Sequence, residues 1–180
     1  MTGRGSRGHA NDARDAAFPE DFLDFIRALN AHAVEFLLVG GYAVGMYGYV
    51  RATTDIDFFY RCTSGNVQRL MCAMTMFGAP AGLIDAQHLA TRDAVTQLGA
   101  PPIRIDLLAS ISGVTFEEAA TDAVRVQIAG ESLPVIGIAA LRANKQATKR
   151  RQDLDDLHHL PASPAFGALT HGRKRRPNQP

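Results

Sequence analysis

Two aspartates, Asp55 and Asp57, are separated by a single residue in a run of otherwise apolar residues. In an extended strand alternate side chains point to the same face, so both carboxylates project together while Ile56 and Phe58 face a core. Two carboxylates held this close repel each other unless a cation lies between them. Mg²⁺ prefers oxygen ligands and keeps part of its coordination shell for water and phosphate. The pair therefore predicts a site that holds Mg²⁺, or Mn²⁺, against a phosphate group.

A third aspartate, Asp106, alternates with apolar residues in Ile103–Leu108, which predicts a second acid-bearing strand. If this strand lies beside the first, the three carboxylates share one face, as a site for two metal ions about 3.5–4 Å apart requires. Asp106 would then serve as a metal ligand and as the general base that accepts a proton from a hydroxyl group. The alternative is an acid at a strand end that forms an ion pair with Arg104.

A glycine pair, Gly40 and Gly41, follows the apolar run at residues 34–39. Glycine allows a ligand to approach the backbone closely, and the N–H groups at the start of a helix attract phosphate. We therefore predict a phosphate-binding turn between a strand and a short helix. Arg51 and Thr54, in the loop before the acids, are predicted to support the site, and Thr53 is predicted to help Arg51 shape that loop.

Four charged residues follow near the carboxyl end, on one or two predicted helices. Lys145 and Arg150 are predicted to neutralise the phosphates as point charges. Asp153 and Asp156 are three residues apart and share a helical face, from which they can orient those cations. The alternative for Lys145 is an ordinary solvated lysine, and for the two aspartates ordinary surface ion pairs.

Apolar periodicity predicts the elements that position these residues. A helix begins at Pro19 and buries Phe22, Phe25, Ile26 and Leu29; another is capped by Ser64 and ends at Gly78. The remaining predicted elements are strands at 34–39, 55–60 and 103–108, short helices at 43–47 and after Thr115, a hairpin at 124–128 and 133–136, and helices at 138–148 and 151–160. Residues 79–102 are predicted to form a Gly- and Ala-rich connection. The fold class is α/β, or α+β, with a small mixed sheet flanked by helices.

Composition limits the classes of protein that this chain can represent. Its 180 residues, 46% of them hydrophobic, suffice for one domain, which we place at residues 18–160. A disordered leader is predicted at 1–17 and a disordered basic tail at 161–180. The formal net charge of +1 excludes a histone-like polycation. Only two cysteines and no long apolar run predict a cytoplasmic protein that does not bind membranes.

The glycine pair, the segment 51–57 and Asp106 together resemble the nucleotidyltransferase superfamily typified by DNA polymerase β. The series from Lys145 to Asp156 resembles its small prokaryotic branch, which includes the abortive-infection toxins of type IV toxin–antitoxin systems. The resemblance covers residues 34–160. It implies a minimal palm-like core and Mg²⁺-dependent transfer of a nucleoside monophosphate from a nucleoside triphosphate (NTP), with release of pyrophosphate.

The same resemblance implies a role for each site residue. Gly40 and Gly41 contact phosphate, Asp55 and Asp57 bind metal, Asp106 supplies the third carboxylate, and Lys145 binds phosphate. Many members of the superfamily carry serine after the first glycine, and its hydroxyl group contacts the phosphates. This chain has Gly41 there, which leaves that contact to backbone N–H groups.

The implied partners are an NTP substrate, an acceptor hydroxyl group on tRNA, a protein or a small molecule, and a cognate antitoxin. Two other functions stay open from the sequence. One is a catalytically degenerate nucleotidyltransferase fold that binds nucleotides or regulates. The other is a glycosyltransferase, in which a D-x-D pair holds a metal on a sugar nucleotide, but that class predicts neither the glycine pair nor the third strand acid.

Overall fold

A six-stranded mixed sheet organises residues 18–162, the part of the chain that the computed structural model describes. Its strands are β1 (Phe36–Val39), β2 (Asp55–Tyr60), β3 (Val95–Ala100), β4 (Ile103–Leu108), β5 (Val124–Ile128) and β6 (Glu131–Val135). Its helices are α1 (Glu20–Ala31), α2 (Gly40–Met46), α3 (Ser64–Phe77), α4 (Ala86–Leu89), α5 (Phe116–Thr121), α6 (Ile138–Thr148) and α7 (Arg151–His159), with one 3₁₀ turn at Ala81–Leu83. The predicted fold class is confirmed.

The strand order β3-β4-β2-β1-β6-β5 places the two acid-bearing strands side by side. β2 and β4 run parallel, and their register pairs Asp57 with Asp106 and Asp55 with Arg104. Paired residues of neighbouring strands point to the same face of a sheet. The topology therefore brings together carboxylates that are 49 residues apart in the chain.

The opposite face of β2 packs against an apolar layer formed by α1 and α3. Phe25 of α1 lies 5.7 Å from Phe58 and 5.0 Å from Phe77, measured between ring centroids. The four residues predicted to line the core on α1 are all buried: Phe22, Phe25, Ile26 and Leu29. Burial of Ile56 and Phe58 on this side fixes the register that turns Asp55 and Asp57 toward the other face.

The strand β3 was not predicted, and the prediction of a plain connection over residues 79–102 is wrong. In β3 the alternation of buried and exposed residues is limited to Thr96 and Leu98, which are buried, and the following Gly99 is a residue that weakens the prediction of a strand. β3 pairs antiparallel with β4 and forms an edge of the sheet beside Asp106.

Smaller differences concern the ends of elements. The residue that caps α3 is Thr63, whose side chain accepts a hydrogen bond from the Asn66 N–H, whereas the prediction placed the cap at Ser64. Thr115 and Glu118 form a capping box at the start of α5, where the short helix after Thr115 was predicted. The carboxyl-terminal region forms two helices because Lys149 adopts a left-handed conformation between them, with φ of 53°.

The predicted leader at 1–17, and all but the first two residues of the predicted tail at 161–180, lie outside the described residues. Within residues 18–162 no helix has both the length and the apolar character needed to cross a bilayer.

Candidate functional site

Three carboxylates meet on one face of the sheet, at the start of β2 and the middle of β4. Asp106 is buried, and Asp55 and Asp57 are partly buried. Gly40, at the start of α2, packs directly against the Asp57 carboxylate: a Cβ atom at position 40 would overlap it. Gly40 also has a φ of +65°, which side-chain-bearing residues rarely adopt. Only glycine fits this position without displacing Asp57.

Crowding changes the acidity of Asp57. Burial, followed by the negative charges of Asp55 and Asp106, raises the pKa of Asp57 to about 7. Lys145 and Arg150 partly oppose this increase. Asp57 therefore holds its proton to a much higher pH than an ordinary aspartate when no external cation is bound.

Arg104 bridges two of the three acids. It donates from Nε to Oδ1 of Asp106 at 2.9 Å and from Nη2 to Oδ2 of Asp106 at 3.1 Å. The same Nη2 donates to Asp55 across the strand pair. A more distant donor, Nε2 of Gln97 on β3, lies 3.4 Å from Oδ2 of Asp106. The ion pair weighed above as the alternative for Asp106 is thus formed, and it forms within the acid cluster.

A buried ion network joins α6 to α7 behind the cluster. The ammonium group of Lys145 lies 2.8 Å from Asp153 and 2.9 Å from Asp156, and all three residues are buried. Thr148 also donates to Asp153, at 2.7 Å. Lys145 and the two aspartates therefore form a fixed unit, with the aspartates orienting the cation as predicted from their spacing.

Two arginines complete this network from its exposed side. Arg51 holds Asp156 through two hydrogen bonds of 2.7 and 3.0 Å, and Arg150 lies 2.7 Å from Asp153. Burial alone raises the pKa of Asp153 and of Asp156. Hydrogen bonds from Arg150, Lys145 and Thr148 outweigh that effect for Asp153, and those from Arg51 and Lys145 do so for Asp156, so both pKa values fall. Both carboxylates stay ionised at neutral pH.

The loop before β2 contacts the acids through Thr53. Its hydroxyl group lies 3.0 Å from Oδ1 of Asp55, whereas Thr54, the predicted supporting residue, is exposed. A Cβ atom on Gly41 would come within 2.9 Å of the Thr53 hydroxyl oxygen and 3.2 Å of Arg51. Thr53 and Arg51 thus fill the space that a serine side chain at position 41 would need.

Two clefts meet at Asp57 and share Gly40, Lys145 and Arg150 as lining residues. The smaller, of about 280 Å³, lies beside the glycine pair and the loop at 51–54. The larger, of about 620 Å³, lies beside Asp106, the end of β4 and α6. The side chain of Arg150 is 72% exposed, so it is accessible from solvent, whereas that of Lys145 is 3% exposed.

The donor set suits a hard divalent cation, since it consists of carboxylate oxygens and the Asp57 carboxylate has no direct ion pair among the described side chains. As the side chains stand, no three His, Cys, Asp or Glu residues within 18–162 are arranged to hold a metal ion. The Arg104 guanidinium group occupies oxygens of Asp55 and Asp106 in this arrangement. The carboxylates fit the cation in chemistry, and a cation that used these same oxygens would have to displace Arg104.

Sequence reasoning missed Gln97 and the bridging position of Arg104. Arg104 was considered only as the partner of Asp106, although its place two residues earlier on the same strand puts it on the same face. Gln97 was missed together with β3. Thr53 was predicted to help shape the loop before the acids, and its contact with Asp55 adds to that expectation.

The raised pKa of Asp57 predicts how stability depends on pH in the absence of divalent cations. The folded protein holds this proton up to about pH 7, whereas an unfolded aspartate loses it near its ordinary value of 3.8. Between these two pH values the folded state therefore binds more protons than the unfolded state. Its stability falls as pH rises from 4 through 7. Asp57→Asn removes the titrating group, so the stability of the variant should not fall over this pH range. At pH 8 its free energy of unfolding should exceed that of the wild type by on the order of 2 kcal/mol.

Urea unfolding with EDTA present, at pH 5 and pH 8, measures this difference. Asp21→Asn, an exposed substitution on α1, is the matched control and should follow the wild type at both pH values. An Asp57→Asn variant with the same pH dependence as the wild type would contradict the predicted crowding.

The buried ion network predicts a second effect on stability. Lys145→Met leaves two buried carboxylates short of a partner and should lower the free energy of unfolding by about 3 kcal/mol. Lys149→Met, an exposed substitution four residues later, should leave it nearly unchanged. Equal losses in the two variants, measured by urea unfolding at pH 7, would show that the network does not stabilise the fold.

Comparison with known proteins gives two similar solved structures and one family. No curated protein matches the sequence. The solution structure of the antibiotic-resistance factor ANT(2'')-Ia is similar, with a TM-score of 0.50 and 13% identity, covering 82% of this chain and 82% of that one. A Thermotoga maritima protein assigned to the nucleotidyltransferases is similar with a TM-score of 0.49 and 11% identity, covering 77% of this chain and 87% of that one.

The first of these likenesses supports the fold alone. The sequence model of one family matches residues 19–166, which span the sheet, the three acids and the ion network. Because that match covers most of the chain, the protein belongs to the family described as nucleotidyl transferase of unknown function (DUF2204).

Proposed function

We propose that this chain transfers a nucleoside monophosphate from an NTP to a hydroxyl group of an acceptor and releases pyrophosphate. The observation that carries the proposal is the register that sets Asp57 beside Asp106, with Asp55 on the same face. Membership of a nucleotidyl transferase family supports it. The glycosyltransferase alternative finds no support in either observation.

In this proposal Asp55, Asp57 and Asp106 hold Mg²⁺ or Mn²⁺. A divalent cation bound there would neutralise the triphosphate and lower the pKa of the attacking hydroxyl group. Asp106 accepts the proton of that hydroxyl group, because it borders the larger cleft. The hydroxyl oxygen forms a bond to the α-phosphorus, the bond from that phosphorus to the bridging oxygen breaks, and pyrophosphate leaves.

The triphosphate is assigned to the smaller cleft and the acceptor to the larger one. Gly40 and Gly41 line the smaller cleft together with Arg150, which can reach a phosphate from solvent. Lys145 borders both clefts and adds positive charge from beneath, held by Asp153 and Asp156. The loop before β2 is held by the hydrogen bond from Arg51 to Asp156 and by that from Thr53 to Asp55.

From the resemblance to type IV toxins we further propose that the chain acts as a toxin in the cell. In that role the acceptor is tRNA or a protein, and a cognate antitoxin restrains the transfer. Growth arrest on expression of the wild-type chain, absent with Asp57→Asn, is the corresponding observation.

Pyrophosphate release tests the proposal directly. We expect the full chain, incubated with each NTP, Mg²⁺ or Mn²⁺ and total tRNA or cell lysate, to release pyrophosphate and label an acceptor. Asp57→Asn and Asp106→Asn should each lower the rate by about 100-fold or more, because each removes a carboxylate that the transfer needs. Asp21→Asn serves as the exposed control and should keep the wild-type rate.

Two results would count against transfer. NTP binding that depends on the cation, with no label on any acceptor, would favour the nucleotide-binding or regulatory alternative. A rate that survives both acid substitutions would place the chemistry elsewhere.

A further inference from the structure

The side chain that bridges the acid cluster is placed by strand geometry. Arg104 stands two residues before Asp106 on β4, so both side chains face the same way. The parallel register sets Arg104 directly beside Asp55 on β2. No loop movement is needed to bring the guanidinium group over both carboxylates.

Its hydrogen bonds use the oxygens that a metal ion would use. Both oxygens of Asp106 accept from Arg104, and so does one oxygen of Asp55. The guanidinium group is planar and its donors are fixed in a fork, which allows this simultaneous grip. A divalent cation and Arg104 therefore compete for the same ligands.

The charges around the cluster show why such a competitor is present. Lys145 is fully engaged by Asp153 and Asp156, and Arg150 is paired with Asp153. Arg104 is thus the positive side chain that directly contacts two of the three acids, Asp55 and Asp106, among residues 18–162. It compensates Asp55 and Asp106 and leaves Asp57 without a direct positive partner.

We propose that Arg104 is a built-in competitor of the divalent cation, a positioning residue that holds Asp55 and Asp106 in the metal-free protein and releases them when the cation binds. This inference rests on the proposed function and adds a control on loading of the same site. If Arg104 competes in this way, the cation alone binds the three acids weakly. The cation binds well when it arrives with an NTP, whose phosphates are negatively charged, so binding of metal and binding of nucleotide are coupled.

Titration of the full chain with Mn²⁺ alone, followed by electron paramagnetic resonance of free Mn²⁺, tests this competition. Arg104→Gln removes the competing charge and should tighten Mn²⁺ binding by about tenfold or more. Arg104→Lys keeps the positive charge but loses the forked donors of the guanidinium group. The affinity of this variant for Mn²⁺ should therefore lie between those of the wild type and Arg104→Gln. Arg125→Gln, the same change at an exposed position of β5 on the far edge of the sheet, should bind as the wild type does.

Thermal unfolding supplies a second readout that holds even if one variant is poorly folded. Without metal, Arg104→Gln should unfold at a lower temperature than the wild type, because Asp55 and Asp106 then lack their direct positive partner. Saturating Mn²⁺ should raise its unfolding temperature by more than it raises that of the wild type or of Arg104→Lys.

The outcomes separate the two proposals. Wild-type Mn²⁺ binding that is unchanged or weakened in Arg104→Gln would overturn the competition and leave the proposed function standing. Absence of Mn²⁺ binding in the wild type and in both Arg104 variants, with NTP present or not, would overturn the proposed function and this inference with it.

Discussion

Repulsion among three carboxylates on adjacent strands is the constraint on which the site depends. The sheet cannot relieve it by turning a side chain away, because Ile56 and Phe58 lock the opposite face of β2 into the core. Gly40 closes one side of Asp57 and the parallel register sets Asp106 beside it. The fold thus holds negative charge where positive charge must be supplied, which is the electrostatic basis of a phosphoryl-transfer site.

Positive charge reaches this region in two separate ways. In the network of Lys145, Asp153 and Asp156 the buried charges pair with one another and join α6 to α7. Arg150 pairs with Asp153 at the solvent-exposed side of this network. Arg104 instead grips the acids themselves. The first arrangement stabilises the fold and lines both clefts, while the second holds Asp55 and Asp106 and, in our proposal, competes with a divalent cation for them.

Local patterns predicted the parts of the molecule that depend on alternation or capping. The face shared by Asp55 and Asp57 follows from period-two alternation, and the placement of Asp106 required only that two strands be neighbours. The sequence did not reveal β3, since two buried residues before a glycine are too few to distinguish an edge strand from a loop. It also could not show that Arg104 would bind Asp55 as well as Asp106, because that depends on the register between strands 49 residues apart.

Crystals of the full chain grown with Mn²⁺ and a non-hydrolysable NTP analogue would show, through the anomalous scattering of manganese, whether the three carboxylates bind a divalent cation. We expect an anomalous peak within coordination distance of Asp55 and Asp57, on the face that carries Asp106. Nucleotide bound in the smaller cleft with no manganese at these carboxylates would contradict it.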